Sequence, residues 1–413
     1  MSSKSHRGVA AARAMCLAVL AVAVPALIRS STAASGAVPP RPGGDFYQPP
    51  RPLPHRPAGT LIRAQRVPLP LNPPAAVWRI LYHSRSLAGR DVAVSAFAVV
   101  PTSGGGLRRR VIYAWAHGSV GQGDRCAPSR DVRHNLPPYG GQLVARGAVL
   151  VATDYEGLGT PGEATPYVGI DEAHAVLDSV RALKQLPSVG RPGPVILAGH
   201  SQGGGAALWA AQLAHSYAPS LDVRGVIALA PAAELTTIVR ALRRRPFSDY
   251  LGEVLWTADG LQAAYGARLD LSRVLTAAAH VDLPRVANEC AAQTIARWRG
   301  RSLHAVFARD PLSVPSLVRV LEGNSPGGSD PNVPIFLAQG SRDEQIPLRV
   351  SAKLEARYCR IGATVIRRVY AGADHNGVVE AAGTEVLAWI NARVEQRASP
   401  SSCRNAQRTR GGR

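Results

Sequence analysis

The stretch Pro194–Gly205, PVILAGHSQGGG, ends an apolar run on Gly199-His200-Ser201-Gln202-Gly203 and passes straight into helix formers. This is the G-x-S-x-G pattern in a strand–turn–helix setting, which lifts a serine hydroxyl above a sheet and beside the first amides of a helix. Those amides favour negative charge where an attacked carbonyl becomes a tetrahedral oxyanion. The chemistry implied for Ser201 is nucleophilic acyl transfer, and a serine needs a base for it.

Two later strand ends supply the partners. In Val333–Pro347, VPIFLAQGSRDEQIP, an apolar run stops at Gly340 and Asp343 follows in a loop, with Glu344 as its rival. In Val369–Gly377, VYAGADHNG, His375 follows another strand. Ser201, Asp343 and His375 thus occur in the chain order Ser–Asp–His, each beyond the carboxyl end of a predicted strand, where sites form in α/β sheets. His200 lies inside the elbow and is expected to point away from Ser201. His117 belongs to a substrate-side loop, and Asp374 reads as local structure. Oxyanion donors are expected from the Gln202 backbone N–H and from the 117–124 loop, where Ser119 and Asp124 are the candidates. Asp124 could alternatively cap the next turn.

These loops need a sheet to hold them. Val77–Ser84, Asp91–Val100 and Arg110–Ala116 read as strands. Gly147–Thr153, Pro194–Ala198 and Val223–Ala230 are near-continuous apolar runs suited to strands covered on both faces. Asp171–Leu186 and Ala206–Tyr217 carry helical periodicity between them. The alternation predicts an α/β fold with a mostly parallel central sheet and helices on both faces. After about residue 231 two or three amphipathic helical segments and no long strand are expected. Strand character resumes at Val333–Ala338 and Ala363–Tyr370, with helices at Ser351–Cys359 and Val379–Val394. The expected organisation is a signal peptide at 1–37, an extended Pro-rich arm at 38–75, a first core part at 76–230, a helical cap at 231–331, a second core part at 332–396 and a basic tail at 397–413. In the cap, Phe247, Leu251, Val254, Leu255, Trp256, Leu261 and Tyr265 are candidates for lining an acyl pocket.

Composition narrows the class. The 413 residues are 46% hydrophobic, enough for a core, and carry a net charge of +20. Of 48 basic residues only Lys4, Lys184 and Lys353 are lysines, a bias that looks like GC-rich coding. The arginines are dispersed, with small clusters at Arg108–Arg110 and Arg243–Arg245, and no nucleic-acid-binding motif accompanies them. Attraction to anionic lipid or cell wall is the expected consequence of the charge, and specific nucleic-acid binding is not expected. Lys4, Arg7 and Arg13 precede the apolar run Met15–Ile28 and the small residues of Ser30–Ala37, the layout of a secretory signal. Outside that run stand Cys126, Cys290, Cys359 and Cys403, which suggest two disulfides in an exported chain with three pairings open. If oxidised, Cys126 would pin the 117–124 loop. No metal or organic cofactor is implied.

With these strings on the page, the chain resembles the secretory lipases of the α/β-hydrolase superfamily, exported fungal and actinobacterial triacylglycerol lipases. The resemblance rests on DFYQPP at 45–50, HGSVGQGDRCAPS at 117–129, ATDYEGLGTPG at 152–162 and GHSQGGGAALWAAQLAHSYAP at 199–219. It implies an α/β-hydrolase fold with a helical lid, Ser201, Asp343 and His375 as nucleophile, acid and base, Asp124 and Gln202 at the oxyanion, and the pairs Cys126–Cys290 and Cys359–Cys403. It also implies an ester or lipid substrate met at a lipid–water interface or the cell envelope. Sequence leaves acyl-chain preference and oligomeric state open. The alternatives carried forward are a short-chain carboxylesterase, an acyltransferase or peptidase on the same machinery, and a non-catalytic cell-surface binding module.

Overall fold

The computed structural model describes residues 45–102 and 109–403; the signal layout, Arg108 of the first arginine cluster and the tail beyond Cys403 lie outside them. One nine-stranded sheet organises the chain. Its strands are β1 Leu61–Val67, β2 Ala75–Arg85, β3 Asp91–Pro101, β4 Arg110–Ala116, β5 Val149–Thr153, β6 Pro192–His200, β7 Val223–Leu229, β8 Ile335–Gly340 and β9 Val365–Tyr370. The spatial order is β1-β2-β3-β5-β4-β6-β7-β8-β9. β1, β2 and β3 pair antiparallel, as do β3 and β5; from β5 to β9 the pairs are parallel. The helices are α1 Gly140–Ala145, α2 Gly169–Leu183, α3 Gln202–Tyr217, α4 Leu235–Leu242, α5 Leu251–Tyr265, α6 Ala277–Val286, α7 Ala291–Trp298, α8 Pro315–Gly323, α9 Leu348–Arg360, α10 Gly377–Ala381 and α11 Gly383–Val394.

The strands are apolar throughout because both faces are covered. Along β4, Ile112, Ala114 and Ala116 join a core shared with α2, α3 and α9, while Tyr113 and Trp115 join one shared with α1, α10 and α11. Alternation with period two thus splits a single apolar run between two layers. The fold is an α/β-hydrolase fold with a helical insertion, since α4 to α8 all fall between the adjacent strands β7 and β8.

Two local expectations are corrected. The Pro-rich arm contains β1, whose LIRAQRV sequence pairs at the sheet margin; flanking prolines are compatible with an edge strand. The helix expected over Val379–Val394 is two helices, interrupted at Ala382.

The arm is fastened by polar contacts. The Arg63 guanidinium donates to the carbonyls of Asp45, Phe46 and Gln48. The Tyr47 hydroxyl lies 2.9 Å from Ser129 Oγ, and the Ser129 N–H donates to Asp154 over 2.9 Å. Ser95 also donates to the fully buried Asp154 at 2.6 Å. Three of the strings quoted above therefore meet in one buried knot, where burial raises Asp154 to about 6 against these hydrogen bonds.

Candidate active site

Ser201 sits between β6 and α3 with φ 56° and ψ −121°. A non-glycine residue at positive φ is costly and persists only when its surroundings impose it. Here the crowding is severe. A Cβ on Gly199 would lie 2.0 Å from the Gly203 carbonyl oxygen, and one on Gly203 would lie 1.9 Å from that of Ala116. Both glycines are needed for helix and strand to approach this closely. The Ser201 carbonyl accepts from the amides of Gly204 (2.9 Å), Gly205 (3.2 Å) and Ala232 (2.9 Å), which fixes the elbow's backbone. Gln202 opens α3, so its N–H has no acceptor within the helix.

Asp343 and His375 are brought together as a hydrogen-bonded pair: the imidazole Nδ1–H donates to Asp343 Oδ2 over 2.8 Å. That carboxylate is buried and saturated. Oδ2 also accepts from Gln339 Nε2 at 2.7 Å, and Oδ1 accepts from the amides of Gln345 (2.9 Å) and Ile346 (2.8 Å). Such a cage fixes the carboxylate in place and holds one tautomer on the imidazole. Glu344 is exposed and points elsewhere. His375 Nε2 is buried and has no hydrogen-bond partner among the described residues. That nitrogen is therefore free to accept a proton from a donor placed beside it.

The rival histidines have other work. His200 Nε2–H donates to the His375 carbonyl at 2.9 Å, and the two rings lie 4.7 Å apart, which draws the 375 loop onto the elbow. Burial, reinforced by the neighbouring His375, lowers His200 to about 4. His117 packs on Tyr155 and donates from Nδ1 to the Gly118 carbonyl at 2.6 Å; burial lowers it to about 4 as well. Asp374 accepts from the Gly377 N–H and shapes the turn into α10.

The 117–124 loop differs from expectation in detail. Asp124 is exposed and its carboxylate accepts from the Gly159 N–H at 3.0 Å. Ser119 Oγ lies 2.8 Å from the Tyr167 hydroxyl. Gly118 of this loop lies against the elbow, where a Cβ would fall 3.6 Å from that of Ser201. The Cys126–Cys290 disulfide spans Cα atoms 5.5 Å apart and ties the loop to the segment between α6 and α7. The chains also bridge at Gly121 and Cys290, and the Ala291 N–H donates to the Val120 carbonyl. The second disulfide, Cys359–Cys403, anchors the end of α9.

Several site neighbours carry no signal in the sequence. Buried Glu172 on α2 accepts from the side chain of Gln202 (2.7 Å) and from the Tyr167 N–H (2.8 Å), and burial raises it to about 8. Glu253 on α5 accepts from the Gln345 side chain and is raised by burial. A Glu inside a helix looks like a solvated residue until tertiary packing covers it.

Beside the elbow lies a cavity of ≈ 780 Å³, part of it open to solvent. Its walls come mainly from α4, α5 and α8, with Ala232, Tyr167 and Ile346 on the core side. Of the expected lining residues, Val254 and Leu261 face it. Leu251, Leu255 and Trp256 are packed away, Tyr265 receives a hydrogen bond from Asn324, and Phe247 is 66% exposed. Among the described residues no three His, Cys, Asp or Glu side chains are grouped to hold a metal ion, and no helix is long and apolar enough to cross a membrane.

Comparison with known proteins places this geometry in a family. The profile described as secretory lipase matches residues 141–401. Among curated relatives, a probable inactive lipase of Mycobacterium tuberculosis is 25% identical over 84% of this chain and 81% of its own. A secreted triacylglycerol lipase of Malassezia globosa is 24% identical over 87% and 82%. Among solved structures, Candida antarctica lipase A in its closed state superposes with a TM-score of 0.70 at 21% identity, covering 84% of each chain. A rice cell wall degrading esterase from Xanthomonas oryzae gives 0.70 at 17%, over 83% of this chain and all of the other.

Proposed function

We propose that this chain, which belongs to the secretory lipase family, is a secreted serine carboxylester hydrolase that cleaves lipid esters through an acyl-enzyme. Family membership supports a lipase-type hydrolase. The observation that carries the finer reading is the buried Asp343–His375 hydrogen bond beside the strained Ser201 elbow. His375 takes the Ser201 proton as the hydroxyl attacks the ester carbonyl, and Asp343 stabilises the resulting imidazolium. The Gln202 N–H and an amide of the 117–119 loop receive the developing oxyanion. His375 then protonates the departing alcohol, and water activated by the same imidazole releases the acid. The apolar cavity under α4 and α5 receives the acyl chain, and each methylene buried there contributes about 0.8 kcal/mol.

A non-catalytic reading is kept because one relative bears the name of an inactive lipase. The test is acid release from esters ranging from soluble acetate to emulsified long-chain triglyceride, by wild type and Ser201→Ala. Turnover that rises with chain length and is lost in the variant supports the proposal. Equal turnover by both proteins would sink the nucleophile assignment. Turnover confined to short soluble esters would make the enzyme an esterase. Added alcohol or sugar acceptors that divert product from acid to ester would make it an acyltransferase.

A further inference from the structure

The acyl cavity shares two wall residues, Phe307 and Pro311, with a second groove on the outside of the insertion. That groove is lined by Arg243, Arg244, Arg245, His304 and Arg309. In the insertion Arg297 is matched with Asp282 and Glu289, Arg285 with Glu289, and Arg273 with Asp270, while Arg240, Arg268, Arg299, Arg301 and Arg319 pair with no acid among the described residues; what sets the groove apart is that it gathers four arginines and a histidine in one place. In the groove only Arg243 has such a partner, Asp310 at 3.0 Å. Arg244, Arg245 and Arg309 pair with no acid among the described residues, although Asp249 lies nearby in the chain. One of these three cations would suit the carbonyl end of α4, which leaves two without such a use. Phe247, 66% exposed, projects from the same turn, and Arg245 is close enough to Tyr250 on the cavity wall to influence its ionisation.

We propose that the Arg243–Phe247 turn, with His304 and Arg309 across the groove, docks on membrane lipid bearing anionic headgroups and sets the acyl cavity against that surface. The arginines meet headgroup phosphates and the phenyl ring enters the headgroup–acyl boundary, the division of labour seen at interfacial segments. The surface's usefulness rests on the lipid-ester reading above; its binding does not.

The test is co-sedimentation of the mature full-length chain with phosphatidylcholine vesicles, with and without a quarter of phosphatidylglycerol. Each arginine at an anionic surface is worth about fivefold in partitioning, so Arg244→Gln/Arg245→Gln/Arg309→Gln is expected to weaken binding to the anionic vesicles on the order of 100-fold. Phe247→Ala is expected to weaken it several-fold. A charge-matched control, Arg133→Gln/Arg191→Gln/Arg360→Gln, removes exposed arginines of the core and is expected to retain most of the binding. Equal losses in the two triple variants would reduce the effect to net charge and overturn the proposal, as would equal binding to neutral vesicles. Displacement by millimolar inorganic phosphate would also overturn it, marking a free-anion site in place of a docking surface. Soluble acetate-ester turnover is measured on the same preparations. It stays unchanged in the groove variant if that variant is folded; its absence from wild type would sink the hydrolase reading while leaving the vesicle result readable.

Discussion

The rim that carries Ser201, Asp343 and His375 and the insertion that covers it are built on opposite principles. At the rim the acid and the elbow are held by several directional contacts each: Asp343 accepts from four donors, and the Ser201 carbonyl from three. The insertion instead encloses an apolar space between short helices, joined to the rim by a disulfide on one side and by the Glu253–Gln345 side-chain pair on the other. On the proposed reading the difference teaches that reactivity depends on directional contacts that tolerate little change, whereas selectivity depends on volume, which tolerates much.

Changes at the rim should therefore be the most damaging. Asp343→Asn removes the charge beside the His375 imidazolium and releases its tautomer, so kcat on a soluble ester is expected to fall on the order of 10³–10⁴ with little change in KM. A loss below tenfold would mean that the rim's acid is elsewhere.

Breaking the covalent seam comes next. The Cys126–Cys290 bond closes a sequence separation of 164 residues. Cys126→Ala/Cys290→Ala is expected to cost about 2–5 kcal/mol in denaturant unfolding and to lower kcat more than Cys359→Ala/Cys403→Ala, because only the first pair holds the 117–124 loop. Equal kcat losses in the two double variants would remove the distinction.

Filling the cavity should spare the chemistry. Leu261→Trp is expected to leave acetate turnover near wild type while cutting kcat/KM on long acyl chains, about fourfold for each methylene displaced. A uniform loss across chain lengths would show that this wall does not read acyl length.

The mildest effect concerns Glu172. Burial raises it from an ordinary 4.5 to about 8, so between those values the native chain holds a proton that the unfolded chain has released. Its contribution to stability is then largest below pH 4.5 and declines as pH rises toward 8. Glu172→Gln keeps an oxygen for the Tyr167 and Gln202 donors and removes that decline. The variant should match wild type near pH 4.5 and gain about 1–3 kcal/mol by pH 9 in urea melts. A gain that does not grow with pH would assign Glu172 a different ionisation.

Much of the rim was legible because its chemistry is written locally. An elbow needs glycines on both sides of a serine, and an acid or base at a strand end stands next to the strand that carries it. Asp343 and His375 were legible on that ground, although their mutual contact is 32 residues apart in sequence. For Asp124 residue type left an oxyanion role and a structural one open, and the contact it makes is with the Gly159 N–H across the loop, 35 residues away and invisible in the local sequence. β1 was hidden by its arginines and flanking prolines, since an edge strand needs no continuous apolar run. The pocket list mixed faces for a related reason. In α5, Leu255 and Val254 are neighbours in sequence, yet one is fully buried and the other lines the cavity. Helical periodicity reports an apolar side but not which of two apolar environments it meets.

The insertion leaves the sheet after β7 and returns at β8, and these strands are neighbours in the same parallel run. Because the two strands are parallel, it leaves from the carboxyl end of β7 at Leu229 and returns at the amino end of β8, where Ile335 pairs with Val226, so it also serves as the crossover between them. The insertion must therefore carry the chain back along the length of the sheet as well as lie over the rim. Any variant that shortens the insertion has to keep enough chain to make that return, so its helices have more freedom in what they line than in how far they reach.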